Sequence, residues 1–339
     1  MALRLIELIL PEERGKEIPE LIKEHEPLGI WNETIAAGKM LIHVLLTTEA
    51  TEAVMDVFEK RFSGVDGFRV ILLPVEASLP RPESPEKKPS QQEEQQPEQP
   101  PEEKVERISR EELYQDVVDA SRISKVYFVM IFLSTVVAAI GLLENSVTII
   151  IGAMVIAPLL GPNVAFSLAT TLGDIELARN SLRTNIAGIL LSLVFSVMLG
   201  FIFKASPDVP QIALRIHVGI PSIVLALASG SAGALAFTTG VSAALIGVMV
   251  AVALLPPLVT FGMLLGAGHV YNALGALILL FVNIICVNLA GVVTFLLQGI
   301  RPLTWWEKDK AKRATRIAIF LWVSLLAILM AVILIFGGR

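Results

Sequence analysis

IGAMVIAPLLGPN, residues 151–163, decides how the rest of the chain reads. It lies in a stretch with no charged side chain between Glu144 and Asp174, long enough for a helix that crosses a bilayer. Yet it carries Pro158, Gly161 and Pro162. Proline lacks a backbone N–H and collides with the carbonyl four residues back, and glycine loses the most chain entropy on ordering. The pattern returns in IGVMVAVALLPPL, residues 246–258, at an offset of 95. Ile151/Ile246, Gly152/Gly247, Met154/Met249, Pro162/Pro257, Phe166/Phe261 and Gly173/Gly268 coincide, as do several Val and Leu pairs. Apolar composition alone matches Val and Leu by chance. Matching Gly, Pro and Phe in register argues for an internal repeat.

Outward from this stretch the chain divides by charge. Residues 1–125 hold 16 Lys/Arg and 26 Asp/Glu, whereas 126–339 hold 11 and 6. No Asp, Glu, Lys or Arg occurs between Arg215 and Arg301. Mean hydropathy is +0.69. The expectation is a charged domain followed by a membrane domain of helices. Seven apolar spans are read at 126–143, 147–172, 184–203, 217–238, 241–267, 271–298 and 317–336. The two related stretches fall in spans 2 and 5. An odd separation makes them cross in opposite directions, so residues 126–203 and 217–298 are expected to be an inverted repeat of three helices each, with one span added. With the N-terminus inside, inner segments carry 12 Lys/Arg and outer ones 3, which leaves the C-terminus outside. Trp305 and Trp306 precede the last basic cluster, as interfacial anchors do.

Residues 1–80 alternate in a β-α-β-β-α-β order, the ferredoxin-like arrangement. Strands are read at 3–11, 29–35, 39–47 and 68–77. Helices are read at 15–25 and at 48–62, the latter capped by Thr48. The charged start MALRLIELILPEERGKE does not have the form of a signal peptide, so this domain is expected in the cytoplasm. Residues 81–106 are Pro, Glu and Gln with little to bury, a disordered tether. Residues 107–125 read as a juxtamembrane helix, with a capping box at Ser109–Glu112 and one face marked by Leu113, Val117, Ala120 and Ser124.

ENSVTIIIGAMVIAPLLGPNVAFSLATTLGD, residues 144–174, resembles the signature of a prokaryotic family of hydrophobic membrane proteins, catalogued as domain of unknown function three-eight-nine. The resemblance extends over about residues 110–300, and the N-terminal domain and tether are similar to one branch of the family. It implies a multi-pass protein of the prokaryotic inner (plasma) membrane and no particular reaction.

Several constellations bear on function. Broken backbone persists in a bilayer only where protein or water covers it. Pro158, Gly161, Pro162 and Asn163, with Pro256 and Pro257, are therefore read as broken-helix residues along a path; the alternative is a packing kink. Glu144 and Asn145 are either an outer mouth that attracts cations or an ordinary exposed loop. Asp174 and Glu176 are expected to pair with Arg179 and Arg183. Asn163, Asn185, Asn283, Asn288 and Gln298 are the polar residues within the spans. Gly230-Ser-Ala-Gly233 reads as a close-packing face. His25, His43, His217 and His269 show no metal-ligand spacing, and Cys286 stands alone. Phosphate-binding and hydrolase motifs are missing from the sequence, so no metal, cofactor or enzymatic activity is expected. The acidic first half disfavours nucleic acid as a partner.

Two functions remain open. One is a channel- or transporter-like protein for a small molecule or ion, regulated by the cytoplasmic domain. The other is a membrane-anchored sensor or assembly scaffold, whose N-terminal domain binds a ligand. Either one suits a homo-oligomer in the lipid bilayer.

Overall fold

The computed structural model describes residues 3–35, 38–75, 78, 108–239, 243–301, 319–320, 322–328 and 331; over 243–253 it describes the backbone alone. The chain forms two compact units, Met1–Glu112 and Leu113–Arg339.

In the first unit, strands β1 (Leu3–Pro11), β2 (Gly29–Ile35), β3 (Lys39–Thr47) and β4 (Arg69–Val75) form one antiparallel sheet in the order β2-β3-β1-β4. Alternation sends Ile6, Leu8 and Leu10 of β1, and Ile42, Val44 and Leu46 of β3, to the same face. There they meet Val54, Phe58 and Phe62, spaced by fours on helix α3 (Thr48–Phe62). Each such side chain contributes roughly 1.5–3 kcal/mol of burial. The N-cap of α3 is Thr47 rather than Thr48, and the helix's hydroxyl bond back to it comes from Thr51, 2.9 Å from the Thr47 carbonyl oxygen.

The helix expected over 15–25 is not continuous. It divides into α1 (Glu12–Gly15), α2 (Ile18–Leu21) and a 3-10 turn at Lys23–His25. An unbroken helix would drive Pro19 into the carbonyl of Gly15, so the chain starts a new helix with Pro19 in its first turn. Two ion pairs bring residues 110–112 into this unit. Arg4 donates from Nε and Nη2 to the two carboxylate oxygens of Glu112, both at 2.9 Å, and Arg110 reaches Asp56 at 3.0 Å.

The second unit is helical. Helix α4 (Arg110–Ala120) begins at the junction. It is followed by α5 (Lys125–Leu143), α6 (Val147–Ile156), α7 (Leu160–Leu172), α8 (Ile175–Phe203), the single turn α9 (Pro210–Ala213), α10 (Ile220–Thr238), α11 (Ala243–Gly266) and α12 (Val270–Leu297). Ser124 lies outside α4; it is extended and caps α5 through a 3.0 Å bond from the Tyr127 amide. Among the described residues α5, α8, α10 and α12 are long and apolar enough to cross a membrane. The pair α6–α7 adds a fifth if it is taken as one span bent by 54°. These helices are those expected of a multi-pass membrane protein. Half of the span read at 317–336, with Trp305, Trp306 and the basic cluster after them, lies outside the described residues, as does the tether.

Small residues let the helices approach closely. On α8 and α11, a Cβ added at Gly200 would strike the backbone of Met263, and one at Gly266 would strike the Val197 carbonyl. Gly262 sits against Ser196 in the same crossing. Gly230 of α10 fits against Val287 and Ala290 of α12, in keeping with the packing role read for that stretch.

Candidate functional site

The break in the second span has an assignable cause. The residue before a proline is pushed from the helical to the extended region, and Ala157 has φ −69° and ψ 117°. Pro158 thus ends α6. Pro162 then falls in the first turn of α7, where the amide it lacks would have no partner inside the helix. One proline stops a helix and the other is compatible with starting one. Gly161 is required by proximity, since a Cβ there would collide with the carbonyl of Ala120.

The other proline pair does not break its helix. Pro256 and Pro257 lie inside α11, which runs from Ala243 to Gly266. At the offset of 95, Pro257 corresponds to Pro162, but the counterpart of Pro158 is Ala253. The residue that makes the break has no proline counterpart at that offset. The expectation of two matching breaks is corrected to one.

Just inside α7, buried Asn163 organises a polar cluster. Its Nδ2 donates to the Leu159 carbonyl at 2.7 Å and to Asn185 Oδ1 on α8 at 3.0 Å. Its Oδ1 accepts from Asn288 Nδ2 on α12 at 3.1 Å. Asn288 Nδ2 also donates to the Ile284 carbonyl at 2.8 Å. The Ser167 hydroxyl lies 3.1 Å from the Asn163 carbonyl oxygen and 3.2 Å from each oxygen of Asn288. Three helices therefore meet through buried amides, each interhelical bond worth about 0.6 kcal/mol on average inside a membrane. The sequence named all three asparagines but gave no sign that they meet, and Ser167 was not singled out.

Beside this cluster lies a small cleft with room for about one water molecule. Its lining residues fall into four pairs separated by 95: Leu159 with Leu254, Asn163 with Leu258, Asn185 with Leu280, and Ile189 with Ile284. One wall is polar and the other apolar.

The remaining expected site residues have local roles. Glu144 and Asn145 are exposed in the turn between α5 and α6. Asn145 is left-handed at φ 54°; its amide donates to the Leu142 carbonyl at 3.3 Å, and the Ser146 amide donates to Gly141 at 2.9 Å. That is the usual termination of a helix, with Asn where Gly is commoner. Asp174 caps α8 by accepting from the Leu177 amide at 2.9 Å, and accepts the Tyr114 hydroxyl at 2.7 Å. No ion pair joins it to Arg179 or Arg183 among the described residues. Burial first, and then the Asp174 carboxylate, push the Tyr114 phenol up to about 12. No group of three or more His, Cys, Asp or Glu suited to a metal ion is found among the described residues.

Fold and cluster together define a helical membrane protein with a small antiparallel α+β domain at its N-terminus. The chain belongs to the family described as Domain of unknown function (DUF389), whose model matches residues 154–289, a narrower range than the sequence resemblance suggested. It is 38% identical over 326 residues to the uncharacterised protein MJ0678 of Methanocaldococcus jannaschii, covering 96% of this chain and 97% of that one. No solved structure matches.

Proposed function

We propose that the membrane unit is a channel- or transporter-like protein built from two inverted halves, with its path along the cleft between them. The cleft lining carries this reading. A cavity at the interface of two related halves should draw equivalent residues from each, and this one is lined entirely by pairs 95 apart. Further relations support it. Both ends of α5 and α10 differ by 95, as do the starts of α8 and α12. Gly173 and Gly268 are both left-handed, at φ 73° and 86°. The close contact of Ser196 with Gly262 has its counterpart in that of Gly291 with Ser167, the roles exchanged between halves. Three crossings per half make the second half antiparallel to the first.

Around this path we place a cytoplasmic N-terminal domain that regulates it, an inner-membrane location with the C-terminus outside, and a homo-oligomeric state. The sheet order and the two helical connections support a ferredoxin-like domain. No enzymatic step is assigned.

The test is flux through proteoliposomes loaded with a panel of monovalent ions and small neutral solutes. Wild-type protein is expected to pass at least one solute above the protein-free rate. Leu159→Trp and Leu254→Trp, which fill the cleft, should abolish that passage while the protein remains monodisperse in detergent. Passage of no solute by the wild type, or equal passage by both filled variants, would refute the reading.

A second reading has its own observation. On the sheet face opposite α3, Trp31 is 48% exposed and stacks on His43 at 5.8 Å, and Glu7 lies 3.3 Å from His43 Nδ1. Trp31, His43 and Glu7 are register neighbours across three strands. This is a surface on which a planar ligand could be sensed. A thermal-shift screen of residues 1–112 with planar metabolites would support it by a stabilisation that Trp31→Ala removes.

A further inference from the structure

The asparagine cluster fixes its own orientation, and this determines what the cleft offers a solute. The Leu159 and Ile284 carbonyls can only accept. The ends of Asn163 and Asn288 that face them must therefore be Nδ2. Asn163 Nδ2 also faces Asn185, so the end of Asn185 that meets it must be Oδ1. Amide flips are thereby excluded through the chain. One group is left over: Asn185 Nδ2 has no hydrogen-bond partner among the described residues, although Asn185 is only 8% exposed and lines the cleft. It is also absent from the polar atoms that are both wholly enclosed and unpartnered, so it retains access to open space.

The acceptors on the same wall are already in use. The carbonyls of Leu159 and Ile284 take the side chains of Asn163 and Asn288, and Asn163 Oδ1 takes Asn288. Leu258 and Leu280, which stand opposite Asn163 and Asn185 in the pairing, supply neither donor nor acceptor. No lining residue is charged. A cation would find no free ring of oxygens. An anion would surrender its hydration for a single amide, and an unpaired ion in such surroundings costs far more than one such bond returns.

We infer that the cleft is a binding site for a small uncharged solute held through a hydrogen-bond acceptor by Asn185 Nδ2. The class comprises water, for which the cleft already has room, and compact amides or alcohols, for which the leucine wall must yield; it excludes inorganic ions of either sign. This deepens the reading of the cleft as a path by naming what enters it, yet occupancy can be judged without transport.

The experiment is crystallography of the full chain, with crystals as grown, in urea, and after rubidium or bromide soaks. Density for water or urea oxygen within hydrogen-bond distance of Asn185 Nδ2, with no anomalous peak in the cleft, is the expected result. A dry cleft, or a rubidium or bromide peak in it, would overturn the inference. In proteoliposomes, Asn185→Leu copies the residue found at position 280 and is expected to lower urea permeability about tenfold, the weight of one hydrogen bond. A conductance to potassium or chloride that survives Asn185→Leu would also overturn it. Failure of all flux, with water or urea still bound at Asn185, would sink the transport reading alone and leave the site standing.

Discussion

At the scale of single residues, the buried amides carry the sharpest expectations. Asn163 satisfies partners on both sides, so Asn163→Leu strands Asn185 Oδ1 and removes a partner from Asn288 Nδ2. A buried polar group left unpaired costs roughly 1–3 kcal/mol. Asn163→Leu should therefore lower the thermal midpoint in detergent more than Asn185→Leu, which strands no Oδ1. Tyr114 gives a second test. Its hydroxyl is held protonated by burial and by the neighbouring carboxylate, so the folded phenol ionises near 12 rather than near 10. A raised value favours the folded form while the phenol is neutral. That contribution is whole below about pH 10 and is lost as pH climbs towards 12. Tyr114→Phe should remove this alkaline loss in pH-dependent melting, and the tyrosine that ionises near 12 should vanish from the ultraviolet titration. These residue types were visible in the sequence; their meeting was not, because Asn163, Asn185 and Asn288 come from three helices and no periodicity links them.

At the scale of elements, Pro158 separates α6 from α7 and Ala253 leaves α11 whole. Pro158→Ala is expected to straighten the pair. With about 1.5 Å of rise per residue, spin labels at the outer ends of α6 and α7 should move apart by about 4 Å in pulsed electron resonance. An unchanged distance would show that packing, rather than the proline, imposes the bend. Gly200→Leu tests the α8–α11 crossing. The added side chain must displace the backbone of Met263, so the helices should separate and the protein should melt well below wild type or fail to assemble. Sequence periodicity located the strands of the first unit and the apolar helices of the second to within a few residues, save α8, which begins at Ile175 before its apolar stretch at 184–203. It failed where position within an element matters more than composition. A proline in the first turn of α7 and another in the body of α11 look alike in the sequence, and only the residue four places earlier in the alignment separates them. The continuation of the 95-residue spacing into α8 and α12 was available too, in Ile189 with Ile284, but sequence identity there is too sparse to be noticed without the cleft.

At the scale of the whole molecule, the first unit holds its own core, from Ile6 to Phe62. Residues 1–112 should fold as an isolated fragment with a cooperative thermal transition followed by circular dichroism. Arg4 and Glu112 make a two-bonded pair with side chains 11% and 24% exposed, stronger than a surface contact but still solvated. A fragment ending at residue 80 lacks that pair and the one from Arg110, and should melt at a lower temperature. Glu112→Ala in the longer fragment should reproduce part of that drop. Equal melting of both fragments would mean that these pairs only orient the chain.

The unlike walls of the cleft have one more consequence. Were the two halves chemical copies, a solute approaching from either compartment would meet the same sequence of surroundings, and conduction would be even-handed. Asparagine at 163 and 185 against leucine at 258 and 280 removes that equivalence. On the proposed architecture the two entrances are unlike, so a solute should half-saturate the path at a different concentration from each compartment, while its permeability at low concentration stays the same both ways. Exchanging the four residues between positions should swap the two half-saturating concentrations.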